Sequence, residues 1–318
     1  MAVTLAQAKL NVQDALQMGV IDEFRKSSWL LDHLTFADCV SPTGGGATLT
    51  YAYTRLVTQP TADFRSVNTE YTSSEVAKQR YSVDLKIFGG SFEIDRILAG
   101  MGGIADEVVL QLNQKVKAAT ALFNDTVING NSSTDADAFD GLDVALTGSD
   151  TEFNASGSVI DLSTAEKIAA NGDEFLLLLH RCLGKLDGKP SFIGGNSDLI
   201  AVLQFLAKKQ GKYTERQSEW GDYVGEYAGI PLVDFGNKAG SNQPVVANDD
   251  SNGTSIYFAR LGLDGFHAVS MAGRSPIQTW LPNFSEAGAV KKGEVEMVAA
   301  VALKATKAAG VIRKVKVV

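Results

Sequence analysis

Two strand-like runs that bracket a long polar stretch, with one long helix behind them, constrain this chain more than any other feature. Leu49–Val57 alternates Leu49, Tyr51, Tyr53 and Arg55 against Thr50, Ala52, Thr54 and Leu56, the period of two of a half-buried strand. Lys78–Phe88 repeats the pattern, with Tyr81, Val83, Leu85 and Ile87 on one face and Arg80, Ser82, Asp84 and Lys86 on the other. Between them Thr58–Ala77 offers only Phe64, Val67, Tyr71 and Val76 as large apolar groups. Connections this long are uncommon inside a compact domain, and a two-stranded hairpin is marginal alone. The hairpin therefore needs a cover from elsewhere, and a neighbouring chain supplies it most simply. Tyr51, Tyr53, Arg55, Phe64, Arg65, Tyr71, Arg80 and Tyr81 are the candidate intersubunit contacts.

Gly89-Gly90 is expected to break the second strand. Phe92–Leu98 leads to Gly100, Gly102 and Gly103. Then Ile104, Val108, Leu112, Val116, Ala119, Phe123 and Val127 form one apolar stripe at helical spacing. The helix predicted over 104–128 would be about 37 Å long at 1.5 Å per residue. Asn129-Gly130-Asn131 closes it with residues that tolerate left-handed backbone.

Residues 1–46 read as an arm with two apolar clusters, ended by Thr43-Gly44-Gly45-Gly46. After 130 the chain alternates helices and strands. Helices are expected at Asp173–Leu186, with Ser163 or Thr164 able to cap a start, and at Asp198–Lys208 behind a Ser197 cap. Strands are expected at Pro190–Ile193, Ile230–Phe235, Ser255–Arg260, Gly265–Met271, Glu294–Lys304 and Gly310–Val318, with the fifth and sixth closing the fold and the third and fourth forming a pair. No regular βαβ spacing occurs, so the class is α+β, and no internal repeat is present.

Composition narrows the function. The 318 residues carry 45% hydrophobic and 21% charged side chains, enough for more than one core. A net charge of −8 argues against a surface dedicated to nucleic acid. Cys39 and Cys182 form no framework and read as buried thiols in a reducing compartment. No basic-then-apolar leader opens the chain and no run approaches membrane length, so a soluble intracellular product is expected.

The search for chemistry eliminates more than it finds. Gly100-Met-Gly102-Gly-Ile-Ala105 matches a dinucleotide-binding turn, but no acid follows on a second strand, and a glycine hinge explains it better. His33, His180 and His267 lack metal-ligand spacing and read as packed side chains. Asp135, Asp137, Asp140 and Asp143, like Asp249-Asp250, read as solvated loop acids and not as a cation loop. On alternating strands, part of the set Lys291, Lys292, Lys304, Lys307, Arg313, Lys314 and Lys316 could share one face and weakly attract phosphate, although a solvated sheet face is the plainer reading. No catalytic residue, cofactor site or metal site is assigned.

In element order the chain resembles the major capsid proteins of tailed bacteriophages with the Hong Kong 97-like fold. The arm, the long hairpin and the helix 104–128 carry the resemblance. So do Lys189-Pro-Ser-Phe-Ile-Gly-Gly-Asn-Ser-Asp-Leu199, Gly211-Lys-Tyr213 and Ala228-Gly-Ile-Pro-Leu-Val233, and the closing runs Glu294–Leu303 and Ala308–Val315. Residues 132–165 and 236–254 match less well. The resemblance implies an N-terminal arm (1–46) and an extended hairpin, the E-loop (47–95). It implies a P-domain (96–187 and 286–318) with a spine helix, and an inserted A-domain (188–285). It further implies self-assembly of pentamers and hexamers into an icosahedral virion shell, put together in the host cytoplasm around double-stranded DNA. Separate scaffolding, portal and decoration proteins would be partners, and no membrane or cofactor would take part. An encapsulin-like nanocompartment shell shares the fold and is the alternative; a nucleotide-binding α+β enzyme is a weaker one.

Overall fold

The computed structural model describes residues 29–41, 46–101, 107–217, 223–249 and 252–318. Residues 1–28 with their apolar side chains, Thr43 to Gly45, and Gly102–Ala105 lie outside these residues.

The first sheet is built on β14 (Val290–Leu303), a 14-residue strand. β4 (Lys86–Asp95) pairs antiparallel along one side of it, from Val290↔Asp95 to Ala299↔Lys86. On the other side stand β13 (Ile277–Trp280) and then β12 (Phe266–Met271), both antiparallel to β14. β1 (Phe36–Cys39), which follows the short helix α1 (Trp29–His33), pairs parallel with β12. The expected break at Gly89-Gly90 does not occur, because β4 runs through both. Glycine serves close packing there: a Cβ on Gly89 would lie 2.0 Å from the Val295 carbonyl oxygen.

The second sheet has the order β5-β15-β11-β7-β10-β9-β8, with β6 also on β15. Its strands are β5 (Glu152–Phe153), β6 (Ile160–Asp161), β7 (Phe192–Gly195), β8 (Tyr213–Gln217), β9 (Tyr223–Tyr227), β10 (Ile230–Asp234), β11 (Thr254–Ala259) and β15 (Ala309–Lys316). The expected pairing of Ser255–Arg260 with Gly265–Met271 is corrected: β11 and β12 follow each other in sequence but belong to different sheets. Glu294–Lys304 and Gly310–Val318 separate likewise. Arg260 and Gly265 mark the crossing, where a Cβ on Gly265 would meet the Arg260 carbonyl oxygen at 2.4 Å.

Alternation along the second sheet builds two cores. Phe192, Val233, Tyr257, Ala259 and Val311 face the first core, which also holds Phe266, Val269, Met297 and Ala299–Leu303. Ile193, Leu232, Ile256, Phe258 and Ile312 face the second, against α5 (Ala165–Lys185) and α6 (Ser197–Lys209). A sheet covered on both faces reads as continuous apolar runs, as Ile230–Phe235 and Ser255–Ala259 do. Thr164 caps α5 by accepting from the Lys167 N–H (3.3 Å). The cap of α6 is Asn196, accepting from the Leu199 N–H (2.8 Å), one residue before the expected Ser197, because β7 already ends at Gly195.

After the one-turn α2 (Arg96–Ala99), the long helix α3 spans Glu107–Asn129. Its C-terminal half buries Ala119, Phe123, Val127 and Ile128 against β4 and β14, whereas its N-terminal half is only half-buried. The strand before it is antiparallel to its neighbour, so no βαβ nucleotide unit exists there. Gly130 ends α3 without left-handed backbone. It is required by space, since a Cβ would lie 2.2 Å from the Phe139 carbonyl oxygen. Gly130→Ala is expected to cost about 1–3 kcal/mol through overpacking, read as a lower urea midpoint at unchanged slope; an unchanged midpoint would refute the close fit.

Candidate assembly surface

β2 (Thr50–Leu56) and β3 (Lys78–Asp84) form a two-stranded ribbon of their own, in register from Thr50↔Asp84 to Leu56↔Lys78. The expected strand Lys78–Phe88 is divided at Leu85, which is buried and donates its N–H to the Leu49 carbonyl (2.7 Å). The polypeptide thus leaves the ribbon and enters the first sheet within one residue. Beyond Leu56 the two arms of the connection stay side by side. The Val57 N–H donates to Ala77 O (2.8 Å), the Ala77 N–H to Thr58 Oγ1 (2.8 Å) and the Thr61 N–H to Ser74 Oγ (3.2 Å). At the tip Asn68 takes φ +67°, and the Arg65 guanidinium lies over the Tyr71 ring at 5.3 Å.

Alternation sorts the candidate contacts into three groups. Tyr51, Tyr53, Arg55 and Tyr81 face the chain's own first sheet and form the base of the ribbon. Tyr53 Oη donates to Leu303 O (3.0 Å), and Arg55 Nε to Lys304 O (2.8 Å). Arg55 Nη2 donates to Leu303 O and to Tyr53 Oη. The same guanidinium stands 4.3 Å from the Tyr81 ring centroid, and Tyr53 and Tyr81 stack at 5.9 Å. Burial raises the Tyr53 phenol, with Arg55 opposing it. Phe64, Arg65 and Tyr71 form the second group, at the tip, where Phe64 is fully exposed (107%) with Val67 beside it. Arg80 stands in the third group, on the outer face with Leu56, Lys78 and Thr54, all exposed.

The first sheet presents an open face opposite α3. Phe88 and Phe92 point to the helix side, where Phe88 stacks on Phe123 (6.1 Å). Ile87, Ser91 and Glu93 of β4 point away, next to Val298, Glu294 and Lys292 of β14. Gln278 and Trp280 of β13 continue that face beside Glu296 and Glu294. It therefore carries Glu93, Glu294 and Glu296 against Lys292, which pairs with Glu294 at 2.5 Å. The sequence reading missed this acidic face. Its signal was the Glu294-Val-Glu296 alternation.

Other candidates are absorbed by structure. Asp143, in the short helix α4 (Leu142–Leu146), is no solvated loop acid: it accepts from Arg313 Nη1 (2.6 Å) and Tyr257 Oη (2.7 Å), and Arg313 also bonds Glu152. The C-terminal cations divide between the sheets, Lys291 and Lys292 on β14 of the first and Arg313, Lys314 and Lys316 on β15 of the second; Lys314 Nζ donates to Gly157 O (3.2 Å) and Lys291 Nζ to Ala287 O (2.9 Å). Cys39 and Cys182 are buried free thiols, and burial pushes Cys182 up to about 12, far from a reactive thiolate. His180 Nε2 bonds Tyr227 Oη (2.9 Å), and His33 stacks on Trp29 at 4.0 Å. Among the described residues no three His, Cys, Asp or Glu side chains group to hold a metal, and no helix is long and apolar enough to cross a membrane.

No protein-family model and no curated protein sequence matches the chain. Solved structures do. The SrpI encapsulin of Synechococcus elongatus PCC 7942 is 13% identical, with a TM-score of 0.64 over 99% of this chain and 97% of that one. The capsid of a native GTA particle is 12% identical, with a TM-score of 0.63 over 100% and 99%. A Mycobacterium phage Bobi chain is 12% identical, with a TM-score of 0.59 over 98% of each.

The chain has the Hong Kong 97-like fold.

At these identities the likeness shows the Hong Kong 97-like fold alone. Charge-assisted hydrogen bonds contribute about 1.5–3 kcal/mol each. Arg55→Ala is therefore expected to raise amide exchange across Thr50–Leu56 and Lys78–Asp84 by about tenfold or more, leaving exchange in β14 and α3 unchanged. Equal exchange in variant and parent would refute the clamp.

Proposed function

We propose that this chain is a structural subunit that assembles with copies of itself, as pentamers and hexamers, into a closed shell enclosing double-stranded DNA, and that it has no catalytic role. The observation that carries the reading is the ribbon: a two-stranded element held at its base, with an exposed apolar and cationic remainder, in a chain whose whole length follows the fold of phage capsid subunits. A repeated head-to-tail contact that closes on itself produces rings and shells.

In this reading Phe64, Arg65, Val67, Tyr71 and Arg80 make the contact with the adjacent copy, while Tyr51, Tyr53, Arg55 and Tyr81 fix the angle at which the ribbon leaves. Lys78 and Arg80 on its outer face complement Glu93, Glu294 and Glu296 on the open face of the neighbour's first sheet. Such complementarity directs register and partner choice more than raw affinity. The division into arm (1–46), E-loop (47–95), P-domain (96–187 and 286–318) and A-domain (188–285) is part of the proposal. β7 through β11 in one sheet support the last, although α5 and β15 pack with that sheet from outside the range and β12 and β13 join the first.

Deletion of Gln59–Val76 should leave a folded subunit that sediments without forming particles; normal particle yield would overturn the contact. Arg80→Glu with Lys78→Glu should lower particle yield at least tenfold, the scale of one lost charge pair of about 1.4 kcal/mol. Glu294→Lys with Glu296→Lys in the same chain should restore part of it. No rescue would place the receiving surface elsewhere.

The encapsulin among the similar structures supports a second reading, a nanocompartment shell around a protein cargo. Particles purified from expressing cells separate the two: packaged nuclease-resistant DNA supports the first, and a co-purifying cargo protein in DNA-free shells supports the second.

A further inference from the structure

One side chain beneath the ribbon is unlike the apolar residues around it. His267 of β12 has no exposed surface (0%), and within the described residues neither Nδ1 nor Nε2 makes a hydrogen bond. Tyr51 of β2 closes over it edge-on, with ring centroids 5.7 Å apart and 79° between planes. An unbonded polar group in an interior is costly, and phenylalanine would fill the same place without that cost. What imidazole adds is a proton site under the hinge of the ribbon.

The surroundings offer an imidazolium little: the Gly265 carbonyl and the Asp264 charge favour a proton on the ring, and burial and Lys304 outweigh them. On β14 the residue opposite is Ala302, and on β1 the one acid, Asp38, stands opposite Ser270, three positions along β12. Lys304, whose Nζ lies 5.4 Å from the Tyr51 ring centroid, brings a like charge. Asp264, in the turn before β12, is bonded to Arg260 at 2.5 Å. The Gly265 carbonyl, whose polarity favours a proton on the ring, also accepts from the Lys304 N–H (3.0 Å), so that polarity is shared between the two. Arg55 is committed to the Leu303 and Lys304 carbonyls.

We propose that His267 is an acid-sensitive latch for the ribbon: neutral, it lies dry under Tyr51; protonated, it must reach water, and the base of the ribbon lifts from β14. This is a property of the single subunit and stands whether or not the shell reading holds.

Burial, reinforced by Lys304, holds the ring's pKa down to about 4 in the closed state, against about 6.5 for a free imidazole. The direction follows. The open state binds the proton more readily, so closure is fully favoured above about pH 6.5 and weakens about tenfold per pH unit below it. By about pH 4 the contribution is lost.

With three histidines in the chain, ¹³C-histidine NMR of the unassembled full-length subunit resolves each ring, and His267→Gln assigns this one. His267 is expected to titrate near 4, and to move up towards 6.5 in Arg55→Ala, where the base is loosened. Ribbon position is read separately by the distance between nitroxides on Val67→Cys and Leu177→Cys, both exposed sites, while the native cysteines are buried. The distance distribution should be constant above about pH 6.5 and should shift and broaden by about pH 4.5, where the opening constant has risen roughly a hundredfold. In His267→Phe and His267→Gln it should not respond; the glutamine variant serves if the phenylalanine one fails to fold. A wild-type His267 titrating near 6.5, a ribbon that stays put at low pH, or the same movement in His267→Gln would each overturn the latch.

Discussion

The ribbon is attached to its subunit at one end only, and most of what is distinctive in this chain follows from that. Its inner face has a partner for a few residues, where Tyr53 and Arg55 bond the Leu303 and Lys304 carbonyls at and just past the end of β14 and Tyr51 covers His267. Past Leu56 every large side chain is exposed. A two-stranded element gains too little from its own pairing to be rigid far from its anchor. The clamp therefore sets the direction, and in the proposed shell the adjacent copy supplies the rest of the cover.

The anchor works because β14 is itself held from several sides. β4 pairs along one edge of it, β13 and β12 along the other, and α3 covers one face. The end of β14 that receives Arg55 belongs to the core shared by both sheets. A force on the ribbon is thus delivered to the most constrained part of the subunit. Close backbone approaches, at Gly89 against Val295 and at Gly130 against Phe139, leave that part little room to yield.

Local pattern made much of this legible. The alternation of Tyr and Thr announced β2 and β3, and the stripe ending in Ala119, Phe123 and Val127 announced the buried half of α3. The apolar runs around Ile193, Val233 and Phe258 announced β7, β10 and β11, and the two cores on either face of their sheet came only with the structure. What stayed hidden depended on contacts between distant positions. Gly89 and Gly90 look like strand breakers until β14 is placed beside them. Asp143 looks like a loop acid until Arg313, 170 positions away, is brought to it. β11 and β12 look like a hairpin because sequence gives no sign that the polypeptide changes sheets at Arg260. Half of the candidate contacts, Tyr51, Tyr53, Arg55 and Tyr81, proved to face the chain's own sheet, because period two cannot say which face of a ribbon meets which neighbour.

The proposed function resides in surfaces between copies of the chain. The most direct measurement is cryo-electron microscopy of the purified chain under assembling conditions. The account predicts closed particles in which ribbon density from each subunit crosses onto the open face of the adjacent subunit's first sheet, near Glu294 and Trp280. A folded chain that stays monomeric, or particles in which the ribbon lies back along its own subunit, would contradict it.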